Sequence, residues 1–241
     1  MSDYGDINFT IEDDVLTIEI GTIDGATHEG LARVFRDAHH SEAKIVVVTG
    51  KDRRFLSSDN FDFEWISTLD SYDKLEQLNR EAEDILRYSI LIEKPMIAKV
   101  YAPGAHGIGA SIALACDFVY ASSDATFSDN HLWGMGLPPG DGGSVLWPSR
   151  IGLSRAREFL MTDRVANAVE AVDMGLINKA VATEDLDVEV DQLVEKLKSY
   201  DYSALRMTKK SLNQYLQHTL LTVGLSTSSA QAKRMVGGLS R

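Results

Sequence analysis

The chain is short of the residues that would commit it to a disulfide scaffold, a membrane or a nucleic acid. It has one cysteine in 241 residues, so no disulfide can form within it. That residue, Cys116, sits between Leu114-Ala115 and Phe118 and reads as a buried thiol of a reducing compartment. No apolar run approaches the ~18–20 residues of a membrane-spanning helix. Basic residues are scarce: 24 Lys and Arg face 36 Asp and Glu, a net charge of −12. This argues against nucleic acid or an anionic membrane as the main partner. The opening MSDYGDINFTIEDD is acidic and polar, unlike a secretory or mitochondrial leader, and the expectation is a cytoplasmic protein. Metal and nucleotide signatures are also missing. There is no HExxH, no paired-Cys spacing and no GxxxxGK[ST], and Gly107-Ile108-Gly109 lacks the third glycine of a dinucleotide loop. No metal and no bound cofactor are expected.

What is present is an alternation of strand and helix signals. Ile7 to Ile11 and Val15 to Ile20 read as strands, the second with apolar residues alternating around Thr17 and Glu19. His28 to His39 reads as a helix with Leu31, Val34, Phe35 and Ala38 on one face. Ile45 to Thr49 and Pro95 to Tyr101 read as buried parallel strands, separated by a long amphipathic helix from Asp70 to Leu91. After Gly143 the pattern is helical: Ser154–Met161, Ala166–Met174, Leu186–Tyr200, Ser203–His218 and Leu220–Met235. The order favours an α/β fold with a parallel sheet. Residues 1–185 form the expected core, and 186–241 a helical subdomain suited to oligomerisation.

The densest chemistry lies between Ala102 and Gly143, in APGAHGIGASIALACDFVYASSDATFSDNHLWGMGLPPGDGG. A glycine-broken turn opens a small-residue helix, from about Ile108 to Ala115, whose first N–H groups have no helical acceptor. Such a helix start suits developing negative charge. A loop with His131 and a turn with Asp141 follow.

These segments resemble the crotonase (enoyl-CoA hydratase/isomerase) superfamily, through HGIGASIALACD, ATFSDNH and PPGDGG. IVVVTGKDRRFLSSDNFD resembles the family's first oxyanion segment, and Phe159-Leu160-Met161-Thr162 with Ala168 to Val181 its later "LTG…A…A…GLV" region. The resemblance implies a spiral core of ββα units, a C-terminal helical subdomain, and trimers often paired into hexamers. It implies that two backbone N–H groups bind a thioester or ketone oxygen as it becomes an enolate. By alignment these fall at Ser57 and Ile108, where Ile108 replaces the usual glycine.

Family hydratases hold a water between two glutamates. The matching positions here are Ser111 and His131, so both carboxylates are missing. Serine titrates far outside the useful range, and two-glutamate hydration is not expected. His131, with an ordinary pKa near 6.5, and Asp141 are the expected acid/base pair. His106 in the second oxyanion turn is a possible pocket residue, as is Ser111. Asp62 reads as a helix cap. Lys51, Arg53 and Arg54 form a basic cluster that could hold phosphates. His28, His39, His40 and His218 read as helix-surface residues.

Three functions fit this pattern. The first is an enolate-forming lyase or isomerase on an acyl-CoA, with coenzyme A only as part of the substrate. The second is a carbon–carbon bond hydrolase of a β-diketone, using His131 and Asp141. The third is a crotonase-fold binding protein without activity.

Overall fold

A computed structural model describes residues 4–239. β1 (Ile7–Glu12) and β2 (Val15–Ile20) form an antiparallel hairpin with Ile7 opposite Ile20. The alternation in β2 has its expected cause: Leu16, Ile18 and Ile20 are fully buried, while Val15, Thr17 and Glu19 are only half-buried. β3 (Ile45–Gly50), β4 (Met96–Val100), β6 (Phe118–Ser122) and β9 (Lys179–Val181) extend the sheet in parallel, in the order β1-β2-β3-β4-β6-β9. A sheet covered on both faces explains why β3 is an unbroken apolar and β-branched run.

Helices fill the two faces. α1 (Gly25–His40) is capped by Asp24, whose carboxylate accepts the Thr27 N–H at 2.8 Å. It sends Leu31, Val34, Phe35 and Ala38 into the main core, together with α3 (Tyr72–Leu91) and α4 (Ile108–Ala115). On the opposite face α8 (Leu186–Lys198) lays Leu186, Val190, Val194 and Leu197 against Ile45, Val47, Ile97 and Tyr101. Each such aliphatic side chain withdrawn from water stabilises the fold by about 1.5–3 kcal/mol.

A second, three-stranded sheet stands beside the first. In it β7 (Thr126–Ser128) lies in the middle, parallel to β5 (Gly104–His106) and antiparallel to β8 (Ala166–Asn167). These strands are two or three residues long, too short for a period-2 pattern to announce them. Residues 166–167 accordingly belong to β8, and α7 (Ala168–Asp173) starts after them. The helix expected at Ser154 begins earlier. α6 runs from Gly143 to Met161 through Pro148 and is broken at Gly152, where φ is +74°. Burial of Val145, Leu146 and Trp147, with Trp147 stacked on Phe159 at 4.8 Å, offsets the hydrogen bond that Pro148 cannot donate.

The last helices run over α3. α9 (Tyr202–Thr219) passes through a π-helical turn, Leu220–Gly224, into α10 (Leu225–Leu239). The Ser228 hydroxyl fastens α10 to α3, 2.5 Å from Glu83 Oε1 and 3.0 Å from Asn79 Oδ1.

Candidate active site

Close backbone contacts draw three loops together. The Leu56 carbonyl accepts the His106 N–H at 3.0 Å. A Cβ at Gly109 would lie 2.2 Å from that same carbonyl oxygen, so only glycine lets α4 start against residues 55–58. Gly107 has φ of +55°, and a Cβ there would stand 2.4 Å from Asn130 Oδ1 and 3.7 Å from His131 Cε1. The start of α4 therefore faces both residues 55–58 and the His131 loop.

The Ile108 N–H has no acceptor among the described residues. Ser57 differs from expectation. Its N–H donates to Asn60 Oδ1 at 2.7 Å, within a capping box at the start of a 3₁₀ turn, Ser58–Asn60. The neighbouring Ser58 N–H is the one left without an acceptor among the described residues. Sequence alignment could not foresee this, because the competing acceptor is a side chain three residues on.

The expected acid/base pair is in contact, and a third residue joins it. His131, at the start of α5 (His131–Met135), has Nδ1 2.9 Å from Asp129 Oδ1 and Nε2 3.1 Å from Asp141 Oδ2. The His131 backbone N–H also donates to Asp129 Oδ1, at 3.1 Å. The Ser111 hydroxyl donates to Asp141 Oδ1 at 3.3 Å. All four side chains are buried. Burial alone would push the imidazole pKa down, but the charges of Asp141 and Asp129, with their hydrogen bonds, outweigh it and hold His131 well above 6.5. Each ring nitrogen thus lies within hydrogen-bonding distance of a different carboxylate. Asp129 went unassigned in the sequence, although an aspartate two residues before the candidate histidine was the available signal.

The donor atoms of Asp129, His131 and Asp141 lie within 4.8 Å of one another. The two ring nitrogens nevertheless point to different carboxylates, which makes a hydrogen-bonded chain rather than donors converging on an ion.

His131 and Asp141 open onto a cavity of about 850 Å³, its mouth included. Ile23, Phe61, Phe63, Ile66, Leu78 and Leu137 make its walls apolar, and Gln231 and Met235 of α10 close one side. Ser57, Ser58, His106 and Ile108 line it as well. His106 is held on both sides, with Nδ1 2.6 Å from Ser128 Oγ and Nε2 3.1 Å from Thr126 Oγ1, and burial lowers its pKa. His28 corrects the sequence expectation. It is buried, lines the cavity and pairs through Nδ1 with Glu81 Oε2 at 2.7 Å. Its spacing from Leu31 and Phe35 on the inner face of α1 was the missed signal.

The described lining holds no lysine or arginine. In the basic cluster, Lys51 pairs with Asp6 at 2.6 Å, Arg54 with Asp59 at 3.1 Å, and Arg53 with Asp187. Asp62 caps α2 (Phe63–Ser67), as expected. Cys116 is buried, and its thiol pKa is pushed up to about 12 by burial, so it is no nucleophile near neutrality.

Comparison with known proteins fits this geometry. The family described as Enoyl-CoA hydratase/isomerase matches residues 19–234. The chain belongs to the enoyl-CoA hydratase/isomerase family. A crotonyl-CoA hydratase of Syntrophomonas wolfei is 32% identical over 175 residues, 72% of this chain and 65% of that protein. A short-chain-enoyl-CoA hydratase of Clostridium acetobutylicum is 29% identical over 179 residues, 73% of this chain and 66% of that one. The chain thus spans between about half and two thirds of the length of the curated relatives it matches. Among solved structures, an enoyl-CoA hydratase/isomerase from Mycobacterium paratuberculosis superposes with a TM-score of 0.89 at 26% identity, covering 96% of this chain and 94% of that one. A β-diketone hydrolase from the cyanobacterium Anabaena sp. PCC 7120, bound to (S)-3-oxocyclohexyl acetic acid, superposes with a TM-score of 0.87 at 22% identity, covering 94% and 92%. The spiral crotonase-like core with C-terminal helices is thereby the fold of this enoyl-CoA hydratase/isomerase family member.

Proposed function

We propose that this family member is a hydrolase of carbon–carbon bonds in 1,3-diketones. One observation carries the reading: both nitrogens of His131 are held by aspartates, leaving Asp141 as the pocket-lining carboxylate in an apolar cavity. Hydration of an enoyl thioester by two carboxylates lacks both of them, since Ser111 and His131 stand at those positions. A coenzyme A tail would need cations for its phosphates, and the three at the first oxyanion segment already bind carboxylates. The fold likeness to a protein described as a β-diketone hydrolase is consistent with this choice.

The chemistry follows from the positions. Water attacks one carbonyl carbon and gives its proton to Asp141. The attacked oxygen becomes an alkoxide, and the Ile108 and Ser58 N–H groups are the donors available to hold it. Collapse breaks the bond to the central carbon, releasing a carboxylic acid and the enolate of the other ketone. Asp141 returns its proton to that carbon. His131 remains an imidazolium throughout and stabilises the charge of Asp141. No cofactor is consumed.

Acyl-CoA chemistry is the second reading, favoured by the family match and the hydratase relatives. A panel of cyclic 1,3-diketones and enoyl-CoAs, followed through loss of each chromophore, separates the two. Loss of the diketone absorbance with one acid released per molecule is expected. Loss of enoyl-CoA absorbance with the diketones untouched would replace this reading, and turnover of neither would leave a binding protein.

A further inference from the structure

Three histidines line the cavity, and they differ in what remains free. His131 has both ring nitrogens on carboxylates, and His106 has both on hydroxyls. His28 uses only Nδ1, on Glu81, and its Nε2 has no partner among the described residues. Glu81 is itself fixed, because the Gln77 side-chain amide donates to its other oxygen at 2.8 Å. The ring is further confined by Trp65, with centroids 5.3 Å apart. A carboxylate on Nδ1 fixes the orientation of the ring and leaves Nε2 available to an occupant of the pocket. A buried histidine braced in this way by α3 and α2 is more than a helix-surface residue, and it comes from a different element than Asp141, α1 rather than the turn before α6.

We propose that His28 is a second catalytic residue, acting on the carbonyl that is not attacked. This rests on the diketone reading. Protonated at Nε2, His28 donates to the far carbonyl oxygen as the carbon–carbon bond breaks and the bonding pair moves onto that half. The product of this step is an enol rather than a bare enolate. Asp141 then protonates the central carbon while His28 takes back the hydroxyl proton, leaving the ketone. Water supplies every proton in the products, and both side chains return to their starting states. Two poles, Asp141 for the attacked carbonyl and His28 for the leaving half, would also make the site select substrates with two carbonyls one carbon apart.

The test pairs turnover with binding. In otherwise wild-type protein, His28→Gln should lower kcat on a cyclic 1,3-diketone by roughly 10²–10⁴-fold, the range of a positioned acid/base group. In an Asp141→Asn background, which should bind without turnover, adding His28→Phe should weaken cyclohexane-1,3-dione binding about tenfold or more by calorimetry. Circular dichroism and thermal melting confirm folding of each variant. Wild-type kcat and KM in His28→Gln, with diketone hydrolysis intact, would overturn the role of His28 and leave the function standing. Unchanged binding on loss of His28 would overturn it too. If wild type hydrolyses no diketone yet the binding loss appears, the function fails while His28 stands as a recognition residue. Absence of any diketone binding would overturn both.

Discussion

At the scale of single residues the site is an electrostatic arrangement around His131. In the proposed mechanism an imidazolium lies between two buried aspartates, and Asp141 is the one of the two that lines a pocket without lysine or arginine among its described residues. Asp141→Asn preserves shape and removes the base, so turnover should fall by roughly 10²–10⁴-fold. His131→Gln removes the stabilising charge and should also lower kcat; steady-state kinetics on the same diketone checks both. A stability prediction follows from the same contacts. The folded-state pKa of His131 is raised, so its contribution is fully present below the unfolded value of about 6.5 and is lost as pH rises through the folded value. Urea unfolding of wild type and His131→Gln across that window should show the difference between them shrinking as pH rises. A constant difference would mean that the pair of aspartates does not hold the proton.

Among the secondary-structure elements, the proposed chemistry depends on how α4 begins. Its first turn delivers the Ile108 N–H only because Gly109 lies against the Leu56 carbonyl and Gly107 adopts positive φ beside Asn130. Gly109→Ala must push these segments apart, with an expected loss of about 1–3 kcal/mol in urea unfolding and a lowered kcat. Full activity at unchanged stability would show that the α4 start does not hold the reacting oxygen. These dependencies also mark how far the sequence was legible. Long elements such as β3, α1 and α3 announce themselves by unbroken apolar runs or helical spacing. The strands β5, β7 and β8 do not, since pairing rather than pattern makes them. His131 and Asp141 were legible through a motif. Asp129 and Glu81 were not singled out, since a carboxylate in a polar loop or on a helix gains its role only when a histidine from elsewhere in the fold meets it. The sequence also does not reveal that Asn60 captures the Ser57 N–H.

Across the whole molecule, the C-terminal helices both line the pocket and expose apolar side chains. α10 supplies Gln231 and Met235 to the cavity wall, while Met207, Leu212, Tyr215 and Leu221 in and just after α9 expose large side chains to solvent. That apolar surface suits contact with further copies, and light scattering at micromolar concentration should find a trimer or a dimer of trimers; a clean monomer would contradict this. The two chemistries differ in where the oxygen of water goes. The decisive measurement is incubation with a cyclic 1,3-diketone in ¹⁸O-labelled water, with mass spectrometry of the product. A ring-opened keto acid with label in its new carboxylate, formed by wild type and lost in Asp141→Asn, is the expected product. Unchanged diketone, with label entering a hydroxyacyl-CoA from an enoyl-CoA supplied in parallel, would contradict it.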